Sequence, residues 1–397
     1  MIKTQNYKTE RAIRHAFKAS YFEMKAFNAD LKGRSIAAVI AIFALSLVAN
    51  AQSGRVPPSP TPTPEPAEKV VTEEIKLNVL AFDENGKFFP NVTANDLVIT
   101  ENNVLQPPNS VRRIPANVLI VMDTGGELRQ VKSLDQTRRV ARALVESLRP
   151  GDSIALLQYS DQAEIVTEWT ADKKQVLNAI ERTKFGRRST FVDALKLSRS
   201  FLLKNPLENK HLVLITDGTD SKASSSAKFD AEQALLATDI SVHVISYTDM
   251  EVQDIEPRTK TLSNSPPPKA MPDEVAAQLP NGVRNQGVKV GPTINLDRAL
   301  LKTLRARKAD LENSQVQLEK IAEGTNGEFI LPENKDEMIE KVPLVGKMID
   351  ASYVVTYTPK IPLNGAKGLV ERNIEVTSKR DGLIVQARRK LVFDNRN

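Results

Sequence analysis

The middle of the chain alternates between short uncharged runs and stretches in which apolar residues recur every three or four positions. The runs at 118–122 and 212–215 are wholly apolar, which is typical of strands buried on both faces of a parallel sheet. Strands are predicted at 118–122, 154–158, 163–169, 212–215, 240–247 and 327–331, and helices at 131–148, 172–183, 190–203, 226–238 and 296–323. The alternation predicts an α/β fold over 115–345, a doubly wound, mainly parallel sheet with helices on both faces.

Both flanks of this region have a two-residue period instead. Ile75, Leu77 and Val79 alternate with polar residues, and similar strands are predicted at 353–358, 373–377 and 383–387. Each flank is too small to bury a core alone. We therefore expect the β-rich segments 70–114 and 346–397 to pair into one small β-sandwich, with the α/β domain inserted between them.

Residues 250–295 interrupt the helix–strand alternation. Prolines recur in this stretch, at positions 257, 266, 267, 268, 272, 280 and 292, and apolar runs are few. Proline removes a backbone donor and restricts φ, so regular elements are disfavoured there. We predict a long disordered loop inserted in the α/β domain.

The start of the chain is typical of a secretory signal. Basic residues precede the uncharged run 36–48, and Ala49-Asn50-Ala51 follows it. The run is too short to cross about 30 Å of hydrocarbon. We predict a signal peptide over 1–51 with a long basic region, starting at Met1 or Met24, and a stiff proline-rich linker over 52–69. The mature chain is then exported, secreted or periplasmic, without a stable membrane span.

The charge distribution argues against a nucleic-acid partner. The formal net charge is +6 and the pI about 9.2. Residues 1–34 carry eight basic and three acidic side chains, which is +5 of that total. The basicity therefore belongs to the leader and not to a binding face. The chain has no cysteine, which excludes disulfides, thiolate chemistry and a cysteine-linked lipid anchor.

Acidic and hydroxyl side chains lie directly after two predicted strands and at the start of one predicted helix. The segments are Asp123-Thr-Gly-Gly-Glu127, the stretch 186–195 that contains Ser189, and Thr216-Asp217-Gly218. The carboxyl ends of parallel strands share one edge of a sheet, where ligands usually bind. Hard divalent ions prefer such oxygen ligands.

These residues and the strand order resemble the von Willebrand factor type A family. The flanks at about 70–101 and 353–388 resemble bacterial exported proteins related to it. The resemblance implies a metal-ion-dependent adhesion site that holds magnesium or manganese, where a carboxylate of the partner often completes the metal shell. Asp123 and Asp217 match the two aspartates of the family, and Ser189 stands at its threonine.

Two departures from the family pattern change this expectation. Gly125 and Glu127 replace the two serines, and Gly125 supplies no side-chain ligand. Arg187 and Arg188 lie beside Ser189, and an arginine can neutralise clustered carboxylates without an ion. We therefore predict a degenerate site with weak or absent metal affinity, in which Arg188 substitutes for the metal.

The sequence thus predicts an exported, non-catalytic module that binds a protein or an extracellular matrix or surface ligand, through an acidic side chain if a metal is bound. Two alternatives stay open: a metal-independent structural or assembly scaffold, and, less favoured, a metal-assisted hydrolase using Asp123, Asp217 and Glu127. His211 and His243 fall on predicted strands, so we assign them to packing. The chain has neither a Gly-x-Ser-x-Gly elbow nor a Gly-x4-Gly-Lys phosphate loop.

Overall fold

The structure is a computed structural model, and it describes residues 74–126, 131–263, 293–294, 296–362 and 368–395. The predicted signal peptide, the proline-rich linker and Glu127 lie outside the described residues. The strands are β1 (Ile75–Phe82), β2 (Leu97–Glu101), β3 (Val104–Gln106), β4 (Pro108–Arg112), β5 (Asn117–Asp123), β6 (Ser153–Tyr159), β7 (Ala163–Thr170), β8 (Lys210–Thr216), β9 (Ser241–Ser246), β10 (Leu262–Ser263), β11 (Thr293–Ile294), β12 (Phe329–Ile330), β13 (Ser352–Tyr357), β14 (Gly368–Ser378), β15 (Ile384–Ala387) and β16 (Lys390–Asn395). The α-helices are α1 (Leu134–Ser147), α2 (Lys173–Arg182), α3 (Phe191–Lys204), α4 (Ser225–Leu236), α5 (Thr248–Ile255), α6 (Arg298–Gly324) and α7 (Lys335–Asp350).

The central sheet confirms the predicted fold class. Its strands lie in the order β12-β9-β8-β5-β6-β7, and all pairings are parallel except β6 with β7. The apolar run of β5 is buried on both faces: Val118, Ile120 and Met122 pack into one core, and Leu119 and Val121 into the other. Helices cover both faces because their apolar stripes close these two cores.

The flanking segments form two antiparallel sheets, as predicted. One has the order β15-β1-β13-β4 and the other β16-β14-β2-β3, so each combines strands from both flanks. Their inner faces share one core that includes Leu77, Ile99, Val355 and Tyr357. The alternation of β1 places Ile75, Leu77 and Val79 in this core, because successive side chains of a strand point to opposite faces.

The sandwich contacts the edge of the central sheet at which the parallel strands begin. Asn78 of β1 donates its side-chain amide to the Ser241 hydroxyl, at the first residue of β9, over 3.0 Å. Arg388 donates to the carbonyls of Thr238 and Ile240, immediately before the same strand. The opposite edge, where these strands end, carries the predicted site residues.

Two helices were not expected from the sequence. Helix α7 crosses the domain boundary predicted at 345 and contains Pro343. Its buried stripe, which includes Met338, Val342 and Ile349, belongs to the same core as α1, so packing outweighs the local cost of the proline. Helix α5 occupies the first part of the stretch predicted as a loop over 250–295, because Met250 and Ile255 are buried. Residues 264–292 of that loop lie outside the described residues.

None of the helices in the described part of the chain is both long and apolar enough to cross a membrane.

Candidate functional site

Hydrogen bonds between loops bring the three predicted segments together at the edge where the parallel strands end. Strands β5 and β8 are neighbours, with Met122 opposite Ile215, so Asp123 and Asp217 follow adjacent strands. Gly125 and Gly186 form an isolated parallel bridge, which joins the first segment to the second. The second segment contacts the residue that follows the third segment, because the Ser189 hydroxyl donates to the Thr219 carbonyl over 2.9 Å.

The carboxylate of Asp123 is buried and paired with an internal ammonium group. Asp123 is 0% exposed, and its Oδ1 lies 2.7 Å from Nζ of Lys132, whose side chain is only 3% exposed. Lys132 is held in the loop before α1, where its backbone N–H donates to the Glu251 carboxylate over 2.9 Å. Two charges removed from water are compatible with a stable fold only when they are closely paired, so this contact neutralises Asp123 inside the protein.

Asp217 has the same arrangement with a different cation. It is 0% exposed, and its Oδ2 accepts a hydrogen bond from Nη2 of Arg307 over 3.1 Å. The N–H and hydroxyl of Thr219 donate to the other oxygen, at 2.9 and 2.7 Å. Arg307 reaches the site because α6 passes over the end of β8, where Leu318 packs against Gly218. A positive φ of 67° makes glycine the favoured residue at this turn.

Ser189 is held by the residues that follow the third segment, through both its backbone and its side chain. Its N–H donates to the Ser221 hydroxyl over 2.9 Å, and its carbonyl accepts from the Ser221 N–H over 2.8 Å. The residue is 1% exposed. The hydroxyl hydrogen is engaged with the Thr219 carbonyl, so Ser189 serves here as a connector between two loops.

Gly125 is packed directly against the second segment. A Cβ atom at this position would lie 1.9 Å from the carbonyl oxygen of Arg188 and 3.0 Å from Cα of Ser160. The backbone of Arg188 therefore fills the space into which a serine side chain would project. The departure from the family pattern at Gly125 has a steric cause and is more than the loss of one ligand.

Replacing Gly125 by alanine is expected to lower the free energy of unfolding by about 1–3 kcal/mol, because the new methyl group must displace the Arg188 backbone. The Gly186 N–H, which donates to the Thr124 carbonyl over 3.2 Å, should exchange faster in this variant. Chemical denaturation and hydrogen exchange measure the two effects. If the alanine variant is as stable as the parent and exchange at Gly186 is unchanged, Gly125 does not pack against the Arg188 backbone.

The two arginines of the second segment face outward, which differs from the prediction for Arg188. The backbone N–H groups of Arg187 and Arg188 donate to the Asp161 carboxylate, at 3.4 and 3.2 Å, and both side chains are exposed. Among the described residues, Lys132 pairs with Asp123 and Arg307 pairs with Asp217. Neither cation was evident from the sequence. Lys132 falls within the predicted helix 131–148, whereas α1 begins at Leu134, and Arg307 falls within the predicted helix 296–323, whose periodicity does not show which distant group it contacts.

The described residues at this edge do not fit a divalent metal ion. Each aspartate already has an organic cation on one carboxylate oxygen, and Gly125 supplies no side-chain ligand. A divalent ion placed between them would bring like charges close to the ammonium and guanidinium groups. Within the part of the chain that the structure describes, no group of three or more His, Asp or Glu side chains is arranged to hold a metal.

Comparison with known proteins confirms the resemblance seen in the sequence. Residues 118–219 match the family model of the von Willebrand factor type A domain. This region contains Asp123, Gly125, Arg188, Ser189 and Asp217, and the match places a domain of that family there. No curated protein sequence matches the chain.

Several solved structures are similar to the chain. An aerotolerance-related membrane protein from Bacteroides fragilis is 18% identical, over 59% of this chain and 98% of that one, with a TM-score of 0.35. A von Willebrand factor type A protein from Catenulispora acidiphila is 11% identical over 78% and 76%, with a TM-score of 0.39. The manganese-loaded TRAP protein of Plasmodium vivax is 11% identical over 74% and 97%, with a TM-score of 0.34. At these TM-scores the similarities carry no argument about the function of this chain.

Proposed function

We propose that the chain is an exported, non-catalytic protein-binding module that works without a divalent metal ion. Domains of the matched family are interaction modules, which supports the binding role. The observation that carries the metal-independent part is the pairing of Asp123 with Lys132 and of Asp217 with Arg307. The side chains of Lys132 and Arg307 neutralise the two carboxylates, which is the role that a divalent ion would otherwise have. Export rests on the signal pattern over 1–51.

The contact surface that we propose is the loop rim around the buried ion pairs, formed by 160–162, 184–190 and 219–223. Asp161 and Asp220 pin the backbone of this rim: Asp220 accepts from the N–H groups of Val192, Lys222 and Ala223 at 2.7–2.9 Å. The pinned loops leave the side chains of Arg187, Arg188 and Lys222 exposed. Exposed guanidinium groups bind carboxylates through paired hydrogen bonds, so we propose a partner that presents acidic side chains.

The buried groups do not support the hydrolase alternative. Asp123 and Asp217 are 0% exposed and paired with cations, so neither is placed to take a proton from substrate or water. The described residues do contain a lysine beside a serine, with Nζ of Lys228 2.9 Å from Oγ of Ser314. Ser314 is 2% exposed and also donates to the Gly218 carbonyl over 3.3 Å, so a substrate does not reach it. These contacts favour a structural role for both sites.

Two linked measurements test the proposal. In calorimetric titrations with magnesium and with manganese, we expect no saturable heat at millimolar metal, because the cation positions are already filled. In affinity capture with the full chain as bait, chelator should not reduce the amount of partner bound. Tight one-to-one metal binding that Asp123→Ala abolishes would overturn the metal-independent mechanism.

Charge reversal locates the contact surface. We expect the Arg187→Glu/Arg188→Glu variant to reduce partner binding by about ten-fold or more, with a strong dependence on salt, because attraction of the acidic partner becomes repulsion. The matched control is Lys320→Glu, an exposed charge reversal on α6 that lies outside the three loops of the rim and should leave binding unchanged. Equal binding by the double variant and the parent would place the contact surface elsewhere.

A further inference from the structure

Two buried histidines lie side by side where the sandwich meets the central sheet. His211 on β8 and His243 on β9 are both 0% exposed, and their rings stack with centroids 5.3 Å apart. Nδ1 of His211 is 3.1 Å from Nε2 of His243. No other histidine lies among the described residues, because the third histidine of the chain, His15, is outside them. They are remote from the strand-end rim, because β8 and β9 begin beside them and end at the rim.

The groups at the two ends of this pair determine which nitrogen atoms carry hydrogen. At one end the backbone N–H of Glu328, which can only donate, lies 3.0 Å from Nδ1 of His243. His243 therefore accepts through Nδ1, carries its hydrogen on Nε2, and donates to Nδ1 of His211. His211 in turn carries its hydrogen on Nε2 and donates to Oδ1 of Asn209 over 2.9 Å. Asn209 presents its oxygen because its amide nitrogen donates to the Ile114 carbonyl over 3.1 Å.

Both ends of the chain of hydrogen bonds therefore require the same neutral tautomers. A proton added at Nδ1 of His211 would face the N–H of His243 across 3.1 Å, and one added at Nδ1 of His243 would face the Glu328 N–H across 3.0 Å. In either case two donors point at each other in a buried site. The folded chain accommodates the histidines only in their neutral forms.

The same contacts join the sandwich to the central sheet. The hydroxyl of Ser352, the first residue of β13, lies 3.0 Å from Oδ1 of Asn209 and 3.4 Å from Nε2 of His211. One strand further along, Asn78 of β1 binds Ser241 at the start of β9. Protonation of the histidine pair therefore acts on the contact between the two parts of the fold.

The charged groups around the pair do not favour protonation. Burial, then the neighbouring His243 and then Arg149 lower the pKa of His211, and Arg149 itself pairs with Asp152 and Asp350. Lys210 pairs with Asp239, and the side chain of Glu328 is half-buried, with its pKa raised by that burial. Burial holds the pKa of His211 well below its usual range and lowers that of His243 to about 3.

We propose that His211 and His243 form an acid-sensitive lock, a pair that holds the sandwich on the central sheet only while both rings are neutral. The direction in which stability changes with pH follows from proton linkage. The unfolded chain takes up a proton on each histidine below about pH 6.5, and the folded chain does not, so stability is complete above that pH and falls as the pH is lowered. Each histidine contributes up to about a ten-fold rise in the unfolding equilibrium constant per pH unit.

The test is urea denaturation of the full chain between pH 6 and pH 5. The parent should show a rise in the unfolding constant approaching about a hundred-fold, and His211→Gln or His243→Gln about ten-fold. The control is Glu208→Gln. The pKa of Glu208 is lowered to about 2 by hydrogen bonds from Arg112 and Lys76, so its effect falls below this pH window. If either histidine substitution leaves the pH dependence of the unfolding constant the same as in the parent, the proposal is overturned.

Nitrogen-15 NMR of the parent chain provides a readout that does not depend on folding of the variants. Both imidazoles should show a protonated Nε2 and a bare Nδ1, with no titration until the chain unfolds. Titration of His211 or His243 near pH 6.5 in the folded chain, or a hydrogen on Nδ1 of either ring, would contradict the lock. Neither measurement depends on partner binding, so failure here is separable from failure of the proposed function.

Discussion

Replacing Asp123 by alanine is expected to lower the free energy of unfolding by about 3–5 kcal/mol in metal-free buffer, because the buried ammonium of Lys132 loses the carboxylate that lies 2.7 Å from it. A buried charge that loses a close partner of opposite sign destabilises the fold more than the intact pair does. An acidic metal ligand would behave in the opposite way, since removing one of several clustered carboxylates relieves repulsion when no ion is present. Whether Asp123→Ala lowers or raises the free energy of unfolding in metal-free buffer therefore distinguishes an internal ion pair from a metal site.

A double-mutant cycle isolates the pair. Lys132→Met removes the ammonium and leaves a side chain of similar length, so Asp123→Ala/Lys132→Met should cost less than the sum of the two single changes, by up to about 3 kcal/mol. Asp135→Ala is the control, because its pair with Arg139 is exposed at 64% and 60% and should change stability by less than about 1 kcal/mol. Additive effects at Asp123 and Lys132, or stabilisation of the parent by manganese alone, would refute the internal-cation interpretation.

Replacing Arg388 by methionine is expected to cost about 2–4 kcal/mol of unfolding free energy. Arg388 is 5% exposed, and its guanidinium donates to the carbonyls of Thr238 and Ile240, the latter over 2.9 Å. Burial lowers its pKa to about 10, so it remains a cation at neutral pH. Methionine fills the space without donors and leaves two buried carbonyls unsatisfied, each of which costs about 1–3 kcal/mol.

The adjacent arginine gives a matched control. Arg389 has the same side chain one residue along and is exposed, so Arg389→Met should alter stability by less than about 0.5 kcal/mol. Thermal and urea denaturation compare the two variants directly. Similar losses for both would mean that Arg388 does not hold the sandwich on the edge where β9 begins.

The positions of the elements were predictable wherever burial left a period in the sequence. The apolar run 118–122 became β5, and the alternation of Ile75, Leu77 and Val79 became β1, because each pattern follows from which faces of a strand meet the core. Helix α7 was not predicted. Its proline is a local signal against a helix, and the opposing energy comes from packing beside α1, which the local sequence does not show.

The convergence of Asp123 and Asp217 on one edge followed from strand order, since residues at the ends of neighbouring parallel strands must meet there. The expectation for Ser189, which lies in the loop between α2 and α3, came from the resemblance to the type A family. What those side chains touch was decided by tertiary structure alone. Lys132 reaches Asp123 through the path of a loop, and Arg307 reaches Asp217 because a helix far along the chain crosses the end of β8. Periodicity reports which face of an element is buried. It does not report which distant charge will lie opposite, because that depends on how the elements pack in three dimensions.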